Sequence, residues 1–178
     1  RQGIAVGGVV GTQMSTLGLQ LRLEALGVDF TRTPVGDRYV MQEMIQRGWS
    51  LGGESSGHVI CLDLSSTGDG IISALQALAA VVHGGQPLAE LRGEMNKLPQ
   101  TMINVRIERG TELVGNAAIA SAVQAAEAQL GPRGRVLLRP SGTEPVLRVM
   151  VEGEEAGEDE RLAQARDAAV SDAVGAGA

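Results

Sequence analysis

A short polar segment between two apolar runs carries the residue types that bind phosphate. Arg139 precedes its turn, which contains Ser141, Gly142 and Thr143, and Arg148 follows on the next apolar run. A glycine here lets successive backbone N–H groups point into one concavity, which forms a nest for an anion. The hydroxyls add donors, and a guanidinium carries a fork of donors that matches phosphate oxygens. We therefore expect a phosphate-binding loop held between two strands.

The alternative interpretation of this segment is a tight hairpin whose tip is polar and binds nothing. Ser-Gly-Thr alone would favour that interpretation, whereas the arginines at positions 139 and 148 favour the phosphate site. Glu144 would repel a phosphate. We therefore expect its carboxylate to hold Arg139, Arg148 or a backbone N–H.

A second polar loop has the sequence Gly-Gly-Glu-Ser-Ser-Gly-His and spans residues 52–58. Glu54 and Ser56 are two residues apart, so an extended backbone directs both side chains to the same side. A carboxylate accepts hydrogen bonds from two neighbouring sugar hydroxyls, and a serine hydroxyl both donates and accepts. These residue types are consistent with a site for a sugar, and a flexible polar loop without a ligand is the alternative.

The apolar pattern around the second loop predicts the elements that hold it. Within residues 1–95, strand-like runs alternate with helical patterns, which indicates an α/β layered domain with a mixed sheet. Ser15 or Thr16, Asp37 and Asp69 are the expected helix N-caps. The predicted strands cover residues 4–10 and 28–33, a short segment around Trp49, and residues 59–64. The predicted helices cover residues 15–26, 37–47, 70 up to the Gly84-Gly85 pair, and 87–95.

The remaining residues, 96–178, have the pattern of a small α+β domain, with the boundary near residues 96–100. The predicted strands cover 101–109, 135–139 and 146–152. One predicted helix carries the stripe Ile119, Val123, Ala126 and Leu130, and a last helix carries Leu162, Ala165, Ala169 and Ala173.

Composition excludes several classes of protein. The net charge is −6 and aromatic residues make up only 2% of the chain, so a nucleic-acid partner is not expected. Cys61 is the only cysteine, which excludes an intramolecular disulfide and a thiolate metal cluster. We see no leader segment and no apolar run of about 18 residues, and we predict a cytoplasmic protein without a membrane partner. The abrupt start at Arg1 indicates a fragment of a longer protein.

At the two polar loops the chain resembles a known family. Arg-Pro-Ser-Gly-Thr-Glu-Pro closely resembles the phosphate-binding loop in the last domain of the α-D-phosphohexomutases, and Gly-Glu-x-Ser-Gly-His resembles their sugar-specificity loop. The Val-Leu-Arg-Val-Met-Val-Glu-Gly run that follows looks most like the phosphoglucosamine mutase branch. Ser55 stands where that branch usually has Gln, and Pro34 where family members often carry a basic residue.

The resemblance implies roles for particular residues. Glu54 and Ser56 would contact the sugar hydroxyls and His58 would lie near the cleft, while Gly36 and Asp37 would sit beside the substrate. The phosphate would be held by Arg139, Ser141, Gly142, Thr143 and Arg148. For Asp37, capping of its helix is the alternative to ligand contact.

The resemblance also implies what this chain would lack. Residues 1–95 would be the third domain and residues 96–178 the C-terminal domain of a four-domain mutase. No catalytic residue and no metal ligand are expected here, since the phosphoserine loop and the magnesium loop of the family are absent. The intact enzyme would use Mg²⁺, and the fragment alone would be inactive. The alternatives are a phosphomannomutase/phosphoglucomutase fragment and a non-catalytic phosphosugar-binding module.

Overall fold

The computed structural model describes residues 7–93, 95–107, 116–141 and 144–153. The chain divides into two compact units between Lys97 and Leu98. Unit 1 (residues 1–97) contains four strands and four helices within its described residues, and unit 2 (residues 98–178) contains three strands and one α-helix. This arrangement confirms the predicted fold class, a mixed-sheet α/β domain followed by a small α+β domain.

Unit 1 is built on a four-stranded mixed sheet with the order β2-β1-β3-β4. The central strand β1 runs parallel to both β2 and β3, and β4 pairs with β3 in the antiparallel direction. The strands are β1 (Gly8–Thr12), β2 (Asp29–Thr33), β3 (Leu51–Gly53) and β4 (Val59–Cys61).

Helix α2 (Asp37–Arg47) covers one face of this sheet. Its side chains Val40 and Met44 are fully buried against Val10 of β1 and Ile60 of β4. Branched side chains pack well on a pleated surface, and this cluster is the hydrophobic core of unit 1.

Helix α1 (Leu17–Ala25) lies beside β2, and the predicted cap at its start is confirmed. Thr16 is the N-cap, and its hydroxyl accepts a hydrogen bond from the Gly18 N–H at 3.3 Å. Gly18 also allows a close chain approach, because a Cβ there would stand 1.9 Å from the Asn96 carbonyl oxygen. The segment that ends unit 1 therefore packs directly on the first turn of α1.

Helix α3 (Gly70–Gly84) follows β4, and α4 (Leu88–Gly93) is short. The predicted cap at Asp69 is confirmed, because its carboxylate accepts from the backbone N–H groups of Ile71 and Ile72 at 2.8 and 2.9 Å. Gly85 ends α3 in the left-handed conformation, as the glycine pair predicted.

Unit 2 contains an antiparallel sheet with the order β5-β7-β6. Its strands are β5 (Gln100–Arg106), β6 (Arg135–Pro140) and β7 (Val146–Glu152), and helix α5 (Ala117–Leu130) packs on β6. Val105, Leu147 and Val149 form its buried core. On the opposite side of β7, the fully buried carboxylate of Glu152 pairs with the Arg135 guanidinium at 2.7 Å.

Several predicted strands have other bounds in the structure. The first, predicted at 4–10, continues to Thr12, and the strand predicted at 101–109 ends at Arg106. The strand expected around Trp49 begins two residues later, at Leu51, because the ring of Trp49 packs into the core beside α2. The strand expected at 59–64 ends at Cys61, where a turn begins and Leu64 N–H donates to the Cys61 carbonyl. Residues 4–6, residues 108 and 109 and the last predicted helix lie outside the described residues. None of the helices in the described ranges is both apolar and long enough to traverse a lipid bilayer.

Candidate functional site

Three loops follow the carboxyl ends of the parallel strands β1, β2 and β3 and meet at one edge of the sheet. In open α/β sheets this edge is where ligands bind. The loops cover residues 13–16, 34–36 and 54–58. At the start of the first loop, Gln13 N–H donates to the carbonyl of Thr33, the last residue of β2, at 2.9 Å. We call these three loops the carboxyl-edge loops.

Glu54 connects two of the carboxyl-edge loops. Its Oε1 accepts a hydrogen bond from the Gly36 backbone N–H at 2.8 Å, and its side chain is only 9% exposed. Its Oε2 lies 3.8 Å from His58 Nδ1. The carboxylate is thus held in place by one oxygen, while the other faces the exposed side of its own loop.

The loop that holds Glu54 is the hairpin connection between β3 and β4. The Glu54 N–H donates to the His58 carbonyl at 2.9 Å, and the Gly57 N–H donates to the Glu54 carbonyl at 3.1 Å. Gly57 has a φ of 96°, which an L side chain rarely adopts. Gly53 must also remain a glycine, since a Cβ would stand 2.8 Å from the His58 carbonyl oxygen. The polar loop is therefore a defined turn and not a flexible segment.

The two other predicted sugar-loop residues are both exposed and adjacent. Ser56 Oγ lies 3.3 Å from His58 Nδ1, and the His58 side chain is 61% exposed. Nδ1 therefore stands between the Ser56 hydroxyl and the Glu54 carboxylate. The three side chains form a continuous polar group that can both donate and accept hydrogen bonds.

The predicted capping role of Asp37 is wrong. The N-cap of α2 is Gly36, which has a φ of 135° and supplies no side chain, and α2 has no side-chain cap hydrogen bond. The Gly36 N–H donates to Glu54 Oε1 at 2.8 Å, which links this turn to the loop of residues 54–58. Asp37 is the first residue of the helix and is exposed; its Oδ1 accepts a hydrogen bond from the Arg38 N–H at 2.7 Å, and its negative charge interacts favourably with the helix dipole.

Arg32 is a residue that the sequence did not single out, although it shapes the first carboxyl-edge loop. Its guanidinium donates to the Ser15 carbonyl at 2.9 Å and to Gln20 Oε1 at 3.0 Å, and it lies over the Phe30 ring. It therefore fixes the chain between β1 and α1. Phe30 is the one apolar residue of this strand, so no local sequence pattern distinguishes Arg32 for such a role.

An apolar chamber of about 300 Å³ opens beneath the carboxyl-edge loops on the sheet face opposite α2. Its apolar lining includes Val9, Leu19, Leu51, Val59 and Met95, and its polar lining includes Ser15, Thr16, Glu54 and Ser55.

In unit 2 the predicted phosphate loop joins β6 to β7. Gly142 and Thr143 lie outside the described residues. Ser141 N–H donates to the Val146 carbonyl at 2.9 Å, which closes the hairpin. The Ser141 hydroxyl accepts from the Glu144 N–H at 3.3 Å. The expected ion pair of the Glu144 carboxylate with Arg139 or Arg148 is not found among the described residues.

The two arginines of this loop stand directly opposite each other across β6 and β7. Arg139 pairs in register with Arg148, and within the described residues no carboxylate forms an ion pair with either one. Like charges directly opposite on neighbouring strands destabilise a sheet by roughly 0.2–1 kcal/mol. An anion bound between or beside them would offset that repulsion, so the register itself favours an anion site.

The ligands of the metal expected for the intact enzyme are assigned to residues outside this chain. The residues of this chain that the structure describes contain no group of three or more His, Cys, Asp or Glu side chains that could hold a metal ion. Asp69, the carboxylate in the Gly-Asp-Gly segment, is engaged in capping α3. The thiol of Cys61 is buried, and its pKa is raised by that burial and by the nearby charge of Asp63.

Comparison of the chain with known domain families identifies the family to which it belongs. Residues 1–98 match "Phosphoglucomutase/phosphomannomutase, alpha/beta/alpha domain III", and residues 102–169 match "Phosphoglucomutase/phosphomannomutase, C-terminal domain". The chain therefore belongs to the phosphoglucomutase/phosphomannomutase family of the α-D-phosphohexomutase superfamily, and it corresponds to the C-terminal half of such a protein.

Among particular relatives, the similarity is high with phosphoglucosamine mutases. The chain is 58% identical to that of Thioalkalivibrio sulfidiphilus over 92% of its own length and 37% of the relative's. It is 57% identical to that of Halorhodospira halophila over 88% of its length and 34% of the relative's. The chain thus spans little more than a third of the curated relatives that it matches.

Solved structures show the same fold at lower identity. The N-acetylphosphoglucosamine mutase of Aspergillus fumigatus, in complex with GlcNAc-6P and magnesium, superposes with a TM-score of 0.78 at 21% identity, over 96% of this chain and 39% of that chain. A phosphoglucomutase/phosphomannomutase family protein of Burkholderia thailandensis gives 0.68 at 20% identity, over 94% and 38%.

Proposed function

We propose that the chain is the substrate-holding half of a phosphoglucosamine mutase, which interconverts glucosamine 6-phosphate and glucosamine 1-phosphate. The observation that carries the proposal is the Glu54 carboxylate, fixed at the carboxyl edge between Gly36 and His58 in a chain of this family. The identity of 53–58% to proteins named phosphoglucosamine mutase supports the choice of substrate.

Sugar recognition is assigned to residues 1–95. Glu54 Oε1 is engaged by the Gly36 N–H, so Oε2 is the oxygen offered to a sugar hydroxyl. Ser56 and His58 lie beside it and are exposed, so both are placed to exchange hydrogen bonds with the same hexose. Asp37 follows Gly36 at the edge and is exposed; its carboxylate suits the ammonium group of glucosamine.

Phosphate binding is assigned to residues 96–178. Arg139 and Arg148 supply two adjacent positive charges on the hairpin, and Ser141 supplies a hydroxyl at its turn. Gly142 and Thr143 complete the proposed nest on the basis of the sequence. Because the phosphoserine is assigned to a part of the protein outside this chain, the role proposed for this loop is to hold the phosphate that is not being transferred.

The reaction assigned to the intact protein moves a phosphoryl group between the O6 and O1 positions of the sugar. An enzyme phosphoserine donates to the free hydroxyl, which gives a bisphosphate, and a phosphoryl group from the other position then returns to the serine. The phosphoserine and the Mg²⁺ ligands are assigned to parts of the protein outside this chain. The residues present here contribute orientation, which can supply a large part of a rate enhancement.

Because the phosphoserine and the Mg²⁺ ligands are assigned to other parts of the protein, we predict that the 178-residue chain alone has no mutase activity. The purified chain is incubated with glucosamine 6-phosphate and trace glucosamine 1,6-bisphosphate, and the product is measured by a coupled assay. The intact protein, assayed in parallel, is the positive control. Turnover that copurifies with the 178-residue chain through two different separations would contradict the assignment.

The substrate itself is tested by comparing hexose phosphates with the intact protein. We expect kcat/KM for glucosamine phosphates to exceed that for glucose or mannose phosphates. The reverse order would replace the proposal with a phosphomannomutase/phosphoglucomutase. Binding of phosphosugars by the intact protein without any turnover would indicate a non-catalytic binding module instead.

A further inference from the structure

The antiparallel sheet of unit 2 carries a third arginine near the two that face each other across β6 and β7. Arg106 is the last residue of β5, and it pairs in register with Val146, the first residue of β7. Residues directly opposite on neighbouring strands share a face of the sheet, as do residues two apart along one strand. Because Arg148 is two residues after Val146, Arg106 lies on the face that carries Arg148 and Arg139.

The spacing of the three arginines suits one small anion. Arg139 is directly opposite Arg148, and Arg106 is diagonal to Arg148 on the other neighbouring strand. Diagonal positions are about 7–8 Å apart, a distance that long side chains can bridge. Ser141, whose N–H donates to the Val146 carbonyl, follows β6 at the same end of the sheet. All three arginines therefore lie at the end where the proposed phosphate loop joins β6 to β7.

No carboxylate in the described residues forms an ion pair with any of these three arginines. Arg106 and Arg139 are exposed. The one acidic residue of the three strands is Glu152, which lies at the opposite end of the sheet, is fully buried and pairs with Arg135. Like charges on neighbouring strands repel one another, so a phosphate bound among the three arginines would offset their repulsion.

We infer that Arg106 is a further phosphate-binding residue, whose guanidinium binds the phosphate of the sugar phosphate together with Arg139 and Arg148. The inference rests on the proposed function, since it extends the site assigned to the hairpin of β6 and β7. A phosphate monoester carries about two negative charges at pH 7 and has three acceptor oxygens. A set of three guanidinium forks matches both the charge and the oxygens of such a group.

An arginine at the end of β5 has an alternative role, because β5 is an edge strand of the described sheet. Charged side chains on edge strands prevent pairing with other chains. The other exposed residues of β5, however, are all uncharged: Gln100, Met102 and Asn104. The single charge of this strand thus lies only at the end that also carries the other two arginines, and this placement favours phosphate binding.

The test compares variants of the intact protein by isothermal titration calorimetry, without phosphate on the serine so that no transfer occurs. Glucosamine 6-phosphate and glucose 6-phosphate are the probes, because they present the same phosphate on different sugars. Arg106→Gln removes the charge, whereas Arg106→Lys keeps the charge and loses the fork of donors. Gln100→Ala is the matched control, because it changes the same exposed face of the same strand about 20 Å from Arg106.

We expect Arg106→Gln to raise the Kd of both sugar phosphates about 10-fold or more, and Arg106→Lys to recover part of that loss. Gln100→Ala should stay within about twofold of the unmodified protein. Urea unfolding of Arg106→Gln should show unchanged or higher stability, because a repelling charge is removed. An unchanged Kd, with or without aggregation, would overturn the inference, as would a loss of affinity that accompanies a loss of stability.

The same titrations separate this inference from the proposed function. If Arg139→Ala weakens binding and Arg106→Gln does not, the phosphate site stands and the inference is wrong. If glucose 6-phosphate binds more tightly but Arg106→Gln weakens both probes equally, the choice of sugar is wrong and the inference holds. If neither variant alters binding, the phosphate assignment and the inference both fail.

Discussion

The two oxygens of the Glu54 carboxylate have different surroundings, and this difference separates a structural role from a binding role. Oε1 accepts from the Gly36 N–H at 2.8 Å, whereas Oε2 faces His58 at 3.8 Å and the exposed side of the loop. A glutamine would keep one acceptor for Gly36 but replace the other oxygen by an amide NH₂, which cannot accept from a sugar hydroxyl.

We therefore predict that Glu54→Gln in the intact protein lowers kcat/KM for glucosamine 6-phosphate by about 10- to 100-fold, the equivalent of one charge-assisted hydrogen bond. Steady-state kinetics measures the loss, and urea unfolding checks that stability is retained. Glu90→Gln, at an exposed position of α4, is the control and should change neither. Unchanged kinetics for Glu54→Gln would remove Glu54 from the site.

Arg139 offers a second prediction at this scale, because it faces Arg148 across the sheet. Removing one of two repelling charges should leave stability unchanged or raise it by up to about 1 kcal/mol. Phosphate binding should weaken, and we expect Arg139→Ala to raise KM about 10-fold or more. Arg92→Ala on α4 is the control. A destabilised variant with normal KM would show that the arginine is structural.

At the scale of elements, the turn from β2 into α2 is held by a glycine and not by a capping side chain. Gly36 combines a φ of 135° with an N–H directed at Glu54, and a Cβ there would approach the Tyr39 ring at 3.2 Å. The hydrogen bond from Gly36 to Glu54 therefore connects the start of α2 to the loop of residues 54–58. Aspartate is a common N-cap residue, but Asp37 is the first residue of the helix and Gly36 is the N-cap.

We predict that Gly36→Ala destabilises the fold by about 1–3 kcal/mol through backbone strain and also lowers activity, since Glu54 loses its partner. Gly70→Ala is the matched control, because it begins α3 with nothing within 4 Å of an added Cβ. That control should be neutral or slightly stabilising. Urea unfolding of both variants is the measurement, and equal free energies of unfolding would contradict the account.

The sequence predicts most elements of this chain and misses those set by tertiary contacts. The helix predicted at 37–47 and the helix predicted from the stripe that begins at Ile119 are both present in the structure, because an apolar stripe is a local pattern. The strand near Trp49 was misplaced, since the ring packs into the core and delays pairing until Leu51. The Gly36–Glu54 hydrogen bond spans 18 residues, and no local pattern encodes it.

At the scale of the whole molecule, the sequence motifs predict candidate site residues but not the residues that these contact. Glu54, Ser56 and His58 were predicted from one loop, and the structure brings all three within one polar group. Arg32 and the register of Arg139 with Arg148 emerge only from the folded chain.

The central claim is that this chain positions the phosphosugar while the reacting groups lie elsewhere in the protein. The most direct measurement uses the intact protein phosphorylated on its serine, and compares phosphoryl transfer to glucosamine 6-phosphate with slow loss of phosphate to water. For Glu54→Gln combined with Arg139→Ala, we predict that transfer to the sugar falls about 100-fold or more while hydrolysis stays within about twofold. A parallel fall in both rates, or no change in transfer, would contradict the claim.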